Sequence, residues 1–183
     1  MSDPLIDVLA AQQRQGHLGT TSVEDAIAHS VWVVDLAPAG GLVIDVGSGG
    51  GLPGLVIAVQ RPDLRVVLID VRQRRTDALH RAVGRLGLVG RVEIVTDDVA
   101  RVVTGRYRHA GDLVTARAFG PLSVSLFWTG QLVRSGGRVA VSLPPSPSIP
   151  AHRTEDDLEF EGVVGPWGVW RRNASLPRDE RST

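Results

Sequence analysis

A glycine-rich segment that begins with an aspartate is the part of the sequence most suggestive of chemistry. Asp45 is followed by five glycines and one serine: Gly47, Ser48, Gly49, Gly50, Gly51 and Gly54. Glycine allows a tight turn and lets a ligand approach the backbone as no residue with a Cβ would. Asp70 lies about twenty residues past the glycines, where a carboxylate can bind ribose hydroxyls. This spacing predicts a cradle for a ligand that contains a nucleoside.

Two ligand classes fit this cradle. Gly49-x-Gly51-x-x-Gly54 has the dinucleotide-binding spacing, and Asp-x-Gly-x-Gly-x-Gly from Asp45 matches the first motif of class I S-adenosylmethionine (SAM) methyltransferases. A dinucleotide directs a pyrophosphate at the helix N-terminus, whereas SAM carries an aminocarboxylate and a sulfonium. Asp45 could accept a hydrogen bond from the ammonium group of SAM, directly or through water, and this favours SAM over a dinucleotide. The alternative for Asp45 and Asp70 is that each only caps the following helix.

Short apolar runs that alternate with amphipathic stretches are the elements that must position the cradle. We predict strands at 42–46, 65–70, 91–95, 112–116 and 138–143. The helix after the second strand is the clearest, because Leu79, Ala82 and Val83 recur at helical spacing, and Gly87 ends it. Such alternation is typical of a parallel sheet with helices on both faces. The sequence predicts a doubly wound, Rossmann-like α/β fold.

The flanking segments complete a single domain, because 183 residues are too few for two ordinary ones. Residues 5–13 and 22–36 are predicted helices, with Ser22 as an N-cap. The prolines of 143–150 predict a linker, and turn residues between 158–164 and 169–172 predict a final antiparallel hairpin. The expected organisation is an N-terminal helical segment (1–40), a SAM-binding domain (41–172) and a disordered tail (173–183).

Composition excludes several kinds of chemistry. All 20 basic residues are arginine, so lysine Schiff bases and P-loop lysines are excluded. With no cysteine there is no thiol nucleophile or cysteine-bound zinc, and we expect no metal. The 20 acidic residues bring the net charge to zero, so any RNA contact requires a local basic patch. Without a leader or a long apolar run, a soluble cytoplasmic protein with no membrane contact is expected.

The glycine-rich segment and several shorter motifs resemble the RsmG/GidB family of 16S ribosomal RNA guanine-N7 methyltransferases. Residues 45–54 match best, because Leu-Pro-Gly after the glycines is unusual among methyltransferases in general. Arg117-Ala118-Phe119 matches the family's Arg-Ala-Phe, and Arg74-Arg75 stands where the family usually has Lys-Arg. The other matches are Thr21-Ser22-Val23, His29, Arg61-Pro62-Asp63 and Leu68-Ile69-Asp70. The resemblance covers about residues 18–143.

The resemblance implies a class I methyltransferase that binds SAM along the ends of the first three strands. The expected cofactor-binding residues are Asp45, Gly47, Ser48, Gly49, Gly51, Leu52, Asp70, Val71, Asp97, Asp98, Val99 and Arg117. The expected substrate-binding residues are His29, Arg75 and Arg117. The substrate they would bind is a guanine in 16S rRNA, and the expected partner is the 30S subunit. Guanine N7 has a free lone pair and the sulfonium is already activated, so catalysis is alignment and no catalytic acid or base is assigned.

The chain also departs from the family's pattern. The family's N-terminal helices and its Asn-Leu-Thr signature are expected to be shortened or replaced in this chain. Only Leu18-Gly19-Thr20 stands near the position of that signature. Asp97-Asp98 replaces Arg and Glu after the third strand, and Leu143-Pro144 replaces Lys-Gly after the fifth. These changes predict weaker RNA binding if nothing compensates. A small-molecule methyltransferase and a non-catalytic SAM-binding homologue therefore stay open as alternatives, whereas too little chain follows the fifth strand for an oxidoreductase.

Four residue sets have two interpretations each. Arg117 could bind guanine O6 or a phosphate, or form a structural ion pair. His29 could contact substrate or only complete a helix face. The arginine stripe of the helix after the second strand, Arg74, Arg81 and Arg85 with Arg72 and Arg75 beside it, could bind phosphates, although a solvated face is favoured. Trp167 and Trp170 are expected to pack rather than to stack on a base.

Overall fold

A seven-stranded sheet with helices on both faces organises the chain, in a computed structural model that describes residues 3–145 and 157–173. The strands are β1 Leu42–Val46, β2 Arg65–Asp70, β3 Val92–Thr96, β4 Gly111–Ala116, β5 Val133–Ser142, β6 Leu158–Val164 and β7 Trp167–Arg172. The helices are α1 Pro4–Arg14, α2 Val23–Val31, α3 Gly54–Gln60, α4 Gln73–Arg85, α5 Val99–Val102 and α6 Leu122–Leu132. The predicted α/β fold class is confirmed.

The strand order β3-β2-β1-β4-β5-β7-β6 places β1 at the centre of a parallel block. Val46 at the end of β1 pairs with Ile69 of β2 and with Ala116 of β4. The carboxyl ends of these three strands therefore meet at one edge of the sheet. The next strand in sequence, β2, lies on one side of β1, and β4 lies on the other, so the strand order reverses at β1. Open α/β proteins bind ligands at the carboxyl ends of the strands where the order reverses.

Two apolar cores cover the two faces of the sheet. Val43, Val66 and Leu68 belong to the core beneath α1 to α4, whereas their neighbours Ile44, Val67 and Ile69 belong to the core beneath α5 and α6. Successive side chains of a strand point to opposite faces, so a strand buried on both sides is apolar except where a polar side chain is hydrogen-bonded, as Asp45 and Thr115 are to each other. This requirement explains the continuous apolar runs in the sequence.

The N-terminal helices agree with the sequence prediction except at one end. Ser22 caps α2 as predicted, because its Oγ accepts from the Asp25 backbone N–H at 3.0 Å. The α-helix stops at Val31, and Val34–Leu36 forms a separate 3₁₀ turn instead of continuing it. Val33 and Val34 are buried, so packing against the core decides where this helix ends.

The C-terminal hairpin also forms as predicted. β6 and β7 pair antiparallel, and β7 joins the sheet beside β5. β5 begins at Val133 rather than at the predicted position 138, because Gly136 adopts a φ of +75° and lets an irregular strand start earlier. Residues 143–145 lack regular structure, and the rest of the predicted linker lies outside the described residues, as does the tail beyond Asn173.

Two further findings concern the part of the chain that the structure describes. No helix there combines the length and the apolar character that crossing a bilayer requires. Nor do three or more histidine and carboxylate side chains in those residues come together as a metal site would need.

Candidate active site

The glycine-rich turn connects β1 to α3 at the edge where the strands end. Gly47, Gly49 and Gly51 have φ values of +67°, +55° and +100°, which side chains with a Cβ rarely adopt. A Cβ on Gly47 would lie 2.5 Å from Cδ2 of Phe119. The turn is closed by the Ser48 backbone N–H, which donates to the Ile69 carbonyl at 2.9 Å. Glycine at these positions is therefore a requirement of the turn itself.

Asp45 is fully buried beneath this turn. Its Oδ1 accepts from Thr115 Oγ1 at 2.8 Å, and its Oδ2 accepts from the Gly54 N–H at 3.3 Å. Burial raises the pKa of this carboxyl to about 6, and the hydrogen bonds offset only part of that effect. These contacts favour the interpretation in which Asp45 caps the following helix, and its predicted contact with a ligand ammonium stays a prediction. Asp45 binds the first N–H of α3, a donor that has no partner within the helix.

Asp70 joins the turn to α4 at the end of β2. Its side chain is 3% exposed, and Arg75 Nη1 lies 3.3 Å from Oδ2. Oδ2 also accepts from the Gly49 N–H at 3.0 Å, and Oδ1 accepts from the Arg72 N–H at 2.9 Å. An ionised carboxylate has about four acceptor positions. These three donors therefore leave Asp70 room for one ligand hydroxyl.

Two adjoining cavities lie over the ends of the strands. The first, the β2 cavity, has a volume of about 600 Å³, and the sequence-predicted residues that line it are Gly47, Asp70, Val71, Arg75, Asp97, Asp98 and Val99. The second, the glycine-turn cavity, has a volume of about 430 Å³ and is lined by Gly47, Ser48, Gly49, Leu52, Arg75 and Arg117 among the predicted residues. Gly47, Arg75 and Ala118 line both. Together they have the size of a small-molecule site.

Asp97 and Asp98 form the wall of the β2 cavity after β3. Asp98 caps α5, because its Oδ1 accepts from the Ala100 N–H at 2.9 Å. Asp97 Oδ1 accepts from the Asp98 N–H at 2.8 Å and pairs with Arg101 at 3.3 Å. Both carboxylates thus have local partners, which reduces the negative charge they present at the cavity.

The Arg117-Ala118-Phe119 segment follows β4 and lines the two cavities. Ala118 has a φ of +49°, a strained value for alanine that functional sites retain when the surroundings enforce it. Arg117 Nη1 is buried and has no hydrogen-bond partner in the described residues. Burial lowers the pKa of Arg117, and the charge of Asp45 opposes that effect. The structural ion pair considered for Arg117 does not form in the described part of the chain, so its donors are available to a ligand.

Besides Asp45, two sequence-predicted site residues lie outside both cavities. His29 lines neither cavity; its ring packs edge-on against Trp167, with centroids 5.1 Å apart, and burial followed by the Arg117 charge lowers its pKa. These contacts favour the interpretation in which His29 completes a packed helix face, and its assignment to substrate stays a prediction. Gly51 also lines neither cavity. It faces α3 instead, where a Cβ would lie 2.3 Å from Leu55 Cδ1. Gly51 serves the contact between turn and helix.

The structure also adds residues that sequence reasoning missed. Phe119 and Trp128 form an aromatic wall of the β2 cavity. His17 and Leu18 cover the glycine turn, where a Cβ on Gly50 would lie 2.5 Å from Leu18. Phe119 belonged to a matched motif, but its contact with Gly47 spans 72 residues of sequence. No local pattern could have indicated that contact.

A third cavity, of about 630 Å³, lies at the opposite edge of the sheet. It is lined by the first residues of β1, β2 and β3, including Leu42, Arg65 and Val92. The glycine turn, Asp70 and Arg117 are absent from its lining. Because ligands of open α/β sheets bind at the carboxyl ends of the strands, we assign the candidate site to the other edge.

The doubly wound sheet, with a glycine-rich turn after β1 and an acid ending β2, defines a class I methyltransferase fold. A SAM-dependent methyltransferase from Thiobacillus denitrificans, solved with S-adenosyl-L-homocysteine, superposes with a TM-score of 0.58 at 20% identity, over 80% of this chain and 60% of that one. The family model of rRNA small subunit methyltransferase G (GidB) matches residues 13–164. The chain therefore belongs to the RsmG/GidB family.

Relatives named ribosomal RNA small subunit methyltransferase G agree with this membership. The protein from Salinispora tropica is 44% identical over 58% of this chain and 46% of its own length. The one from Thermobifida fusca is 39% identical over 69% of this chain and 49% of its own. The chain spans about half the length of these curated relatives.

Proposed function

We propose that this protein transfers a methyl group from SAM to N7 of a guanine in small-subunit ribosomal RNA. The observation that carries the proposal is the pair of joined cavities, in which the family's glycine turn, Asp70 and Arg117 converge. Family membership supports the substrate, and the S-adenosyl-L-homocysteine complex of the Thiobacillus denitrificans enzyme supports the cofactor. The proposed partner is the 30S subunit, and the proposed compartment is the cytoplasm.

The residues present fit SAM. Arg117 Nη1 is a buried donor without a partner in the described residues, which suits the SAM carboxylate. Gly49 lines the glycine-turn cavity, where a Cβ would contact the His17 carbonyl oxygen at 3.5 Å, so glycine keeps this part of the cavity unfilled. Asp70 retains an acceptor position for a ribose hydroxyl, and Val71 and Trp128 supply apolar walls to the β2 cavity. We propose that these residues, together with the loop at Asp97, Asp98 and Val99, hold the cofactor.

The chemistry requires little beyond alignment from the protein. When bound, SAM supplies a methyl group already activated by the sulfonium. Guanine N7 attacks with its free lone pair, so no side chain has to remove a proton first. Arg117 has five N–H donors in a planar fork, which suits guanine O6 or a backbone phosphate as well as the cofactor. The rigid turn and the strand ends hold the two reactants within attacking distance.

The test is transfer of labelled methyl from SAM to 30S subunits that lack guanine-N7 modification, with the product nucleoside identified by mass. We expect labelled 7-methylguanosine. A matched reaction uses the Asp70→Ala variant, which should require more SAM for the same rate. SAM binding without transfer to 30S subunits would overturn the rRNA assignment in favour of a small-molecule acceptor or a non-catalytic protein. Absence of SAM binding would overturn the assignment of SAM as the cofactor.

A further inference from the structure

The solvent-facing side of α4 carries arginines without partners. Arg74, Arg81 and Arg85 are exposed and lie on one face of this 13-residue helix. No hydrogen bond or ion pair engages their guanidinium groups within the described residues. In contrast, other arginines are paired with acids: Arg61, Arg101, Arg106, Arg134, Arg138 and Arg171. Arg14 and Arg65 also lack an acid partner in the described residues, but each lies on another element, so α4 carries the largest group of such arginines.

Part of this arginine face lies beside the candidate site. α4 begins directly after Asp70, so Arg74 is close to the cavities and Arg81 is about 10 Å further along the helix axis. Buried His17 lines the glycine-turn cavity, and its pKa is lowered by burial and then by the charges of Arg74, Arg75 and Arg81. Arg85 is not among those charges and lies about 16 Å from Arg74. Of the exposed arginines on this face, Arg74 and Arg81 are thus the ones whose charge acts on a residue that lines the cavity.

The acids near this face cancel only part of its charge. Asp70 is already paired with Arg75. Asp77 lies on the exposed side of α4, one turn from both Arg74 and Arg81, and accepts from Gln73 Nε2 at 2.7 Å rather than binding an arginine. Because that amide donor is neutral, the Asp77 carboxylate still offsets one of the two arginine charges and leaves the other uncancelled. Arg74 and Arg81 therefore remain two free guanidinium groups, the geometry that binds phosphate oxygens in pairs of hydrogen bonds.

We propose that Arg74 and Arg81 form a phosphate-binding surface that holds the backbone of the substrate RNA next to the methyl-transfer site. The inference rests on the proposed function and reverses the sequence-based preference for a solvated helix face. It also supplies the compensation that loss of the basic residues after β3 and β5 requires. Arg75 pairs with Asp70 and lines both cavities, so it lies outside the proposed surface.

The test compares two variants with the same loss of charge. Arg74→Gln/Arg81→Gln removes the proposed surface. Arg65→Gln/Arg85→Gln removes two exposed arginines toward the opposite edge of the sheet. Binding to unmodified 30S subunits is measured from 50 to 200 mM monovalent salt at constant Mg²⁺. Each phosphate contact contributes about 0.7 to 0.9 to the salt slope, so the first variant should lose about 1.5 in slope and at least about tenfold in affinity.

The control variant should bind 30S subunits like the wild type, and all three proteins should bind SAM equally. Equal losses of affinity in both variants, or no loss in either, would overturn the proposal that Arg74 and Arg81 bind the RNA. A loss on 30S subunits that disappears on protein-free 16S RNA would also overturn it, because the contact would then be to a ribosomal protein. These outcomes are separable from the proposed reaction, since labelled 7-methylguanosine forms or fails to form in the wild type whichever residues hold the RNA.

Discussion

Asp45 and Asp70 end neighbouring strands, yet their carboxylates have different environments. Asp45 is buried and is bound by Thr115 and the start of α3. Asp70 faces a cavity and is surrounded by two backbone N–H groups and Arg75. One acid therefore supports the turn from below, and the other remains accessible to a ligand.

Replacement of Asp70 by alanine should weaken SAM binding by about 1–3 kcal/mol, because charge-assisted hydrogen bonds to the ribose are lost and Gly49 loses its acceptor. Isothermal titration calorimetry measures this change. Asp63→Ala is the matched control, since Asp63 pairs with Arg61 and lines neither cavity. Unchanged affinity in Asp70→Ala would show that another group binds the ribose.

The buried carboxyl of Asp45 should make stability depend on pH. Its pKa is raised from 3.8 to about 6, so the folded state binds this proton more tightly than the unfolded state does. The free energy of unfolding should therefore fall by up to about 3 kcal/mol from this group as pH rises from about 4 to about 6.

Asp45→Asn removes that dependence while keeping an acceptor for Gly54 and a polar partner for Thr115. Urea unfolding of both proteins at pH 4.5 and pH 7 should show the variant gaining stability relative to the wild type at the higher pH. A difference that is the same at both pH values would rule out Asp45 as the titrating group.

Among the elements, α4 connects the candidate site, the arginine face and β3. Its buried side packs Leu79, Ala82 and Val83 into the core beneath α1 to α4. It ends where Gly87 adopts a φ of +66° and the Leu88 N–H donates to the Val83 carbonyl at 3.0 Å. The helix end is thus fixed by one left-handed residue, as the sequence predicted.

Two glycines of this segment should respond to alanine with opposite signs. Gly87→Ala should cost about 1–2 kcal/mol, because alanine is strained at a positive φ. Gly84→Ala, inside the helix, should stabilise by about 0.5–1 kcal/mol, since alanine restricts the unfolded chain. A Cβ meets no atom within 4 Å at either position. Denaturant unfolding measures both changes, and equal signs would contradict the assigned backbone conformations.

At the scale of the whole molecule, the C-terminal hairpin and the N-terminal helices fix each other. Trp167 in β7 is fully buried, and its Nε1 donates to the His29 carbonyl of α2 at 2.7 Å. His29 is in turn close enough to Arg117 for the arginine charge to lower its pKa. Packing between the two ends of the chain therefore reaches the residues of the site.

Trp167→Phe should destabilise the fold by about 1 kcal/mol more than Trp170→Phe. Both changes remove an indole that is almost fully buried, but only the first removes the donor to the His29 carbonyl. Thermal and urea unfolding of the two variants measure the difference. Equal losses would mean that this hydrogen bond contributes nothing beyond packing.

The sequence alone determined the strands, the clearest helix, the final hairpin and the position of the glycine turn. These features follow from local rules: two-sided burial makes strands apolar, helical spacing separates α4 into two faces, and glycine occurs where φ is positive. The matched family motifs then placed Asp70 and Arg117 at the ends of strands, and both line the cavities.

Only the tertiary structure decided which way each side chain points and what it meets. Asp45 and Gly51 belong to the glycine motif but face the core and α3, because the turn can present only some of its residues to a ligand. His17, Phe119 and Trp128 reach the cavities from distant segments. Such contacts depend on how whole elements pack, and burial and pairing of charges follow from that packing rather than from local sequence.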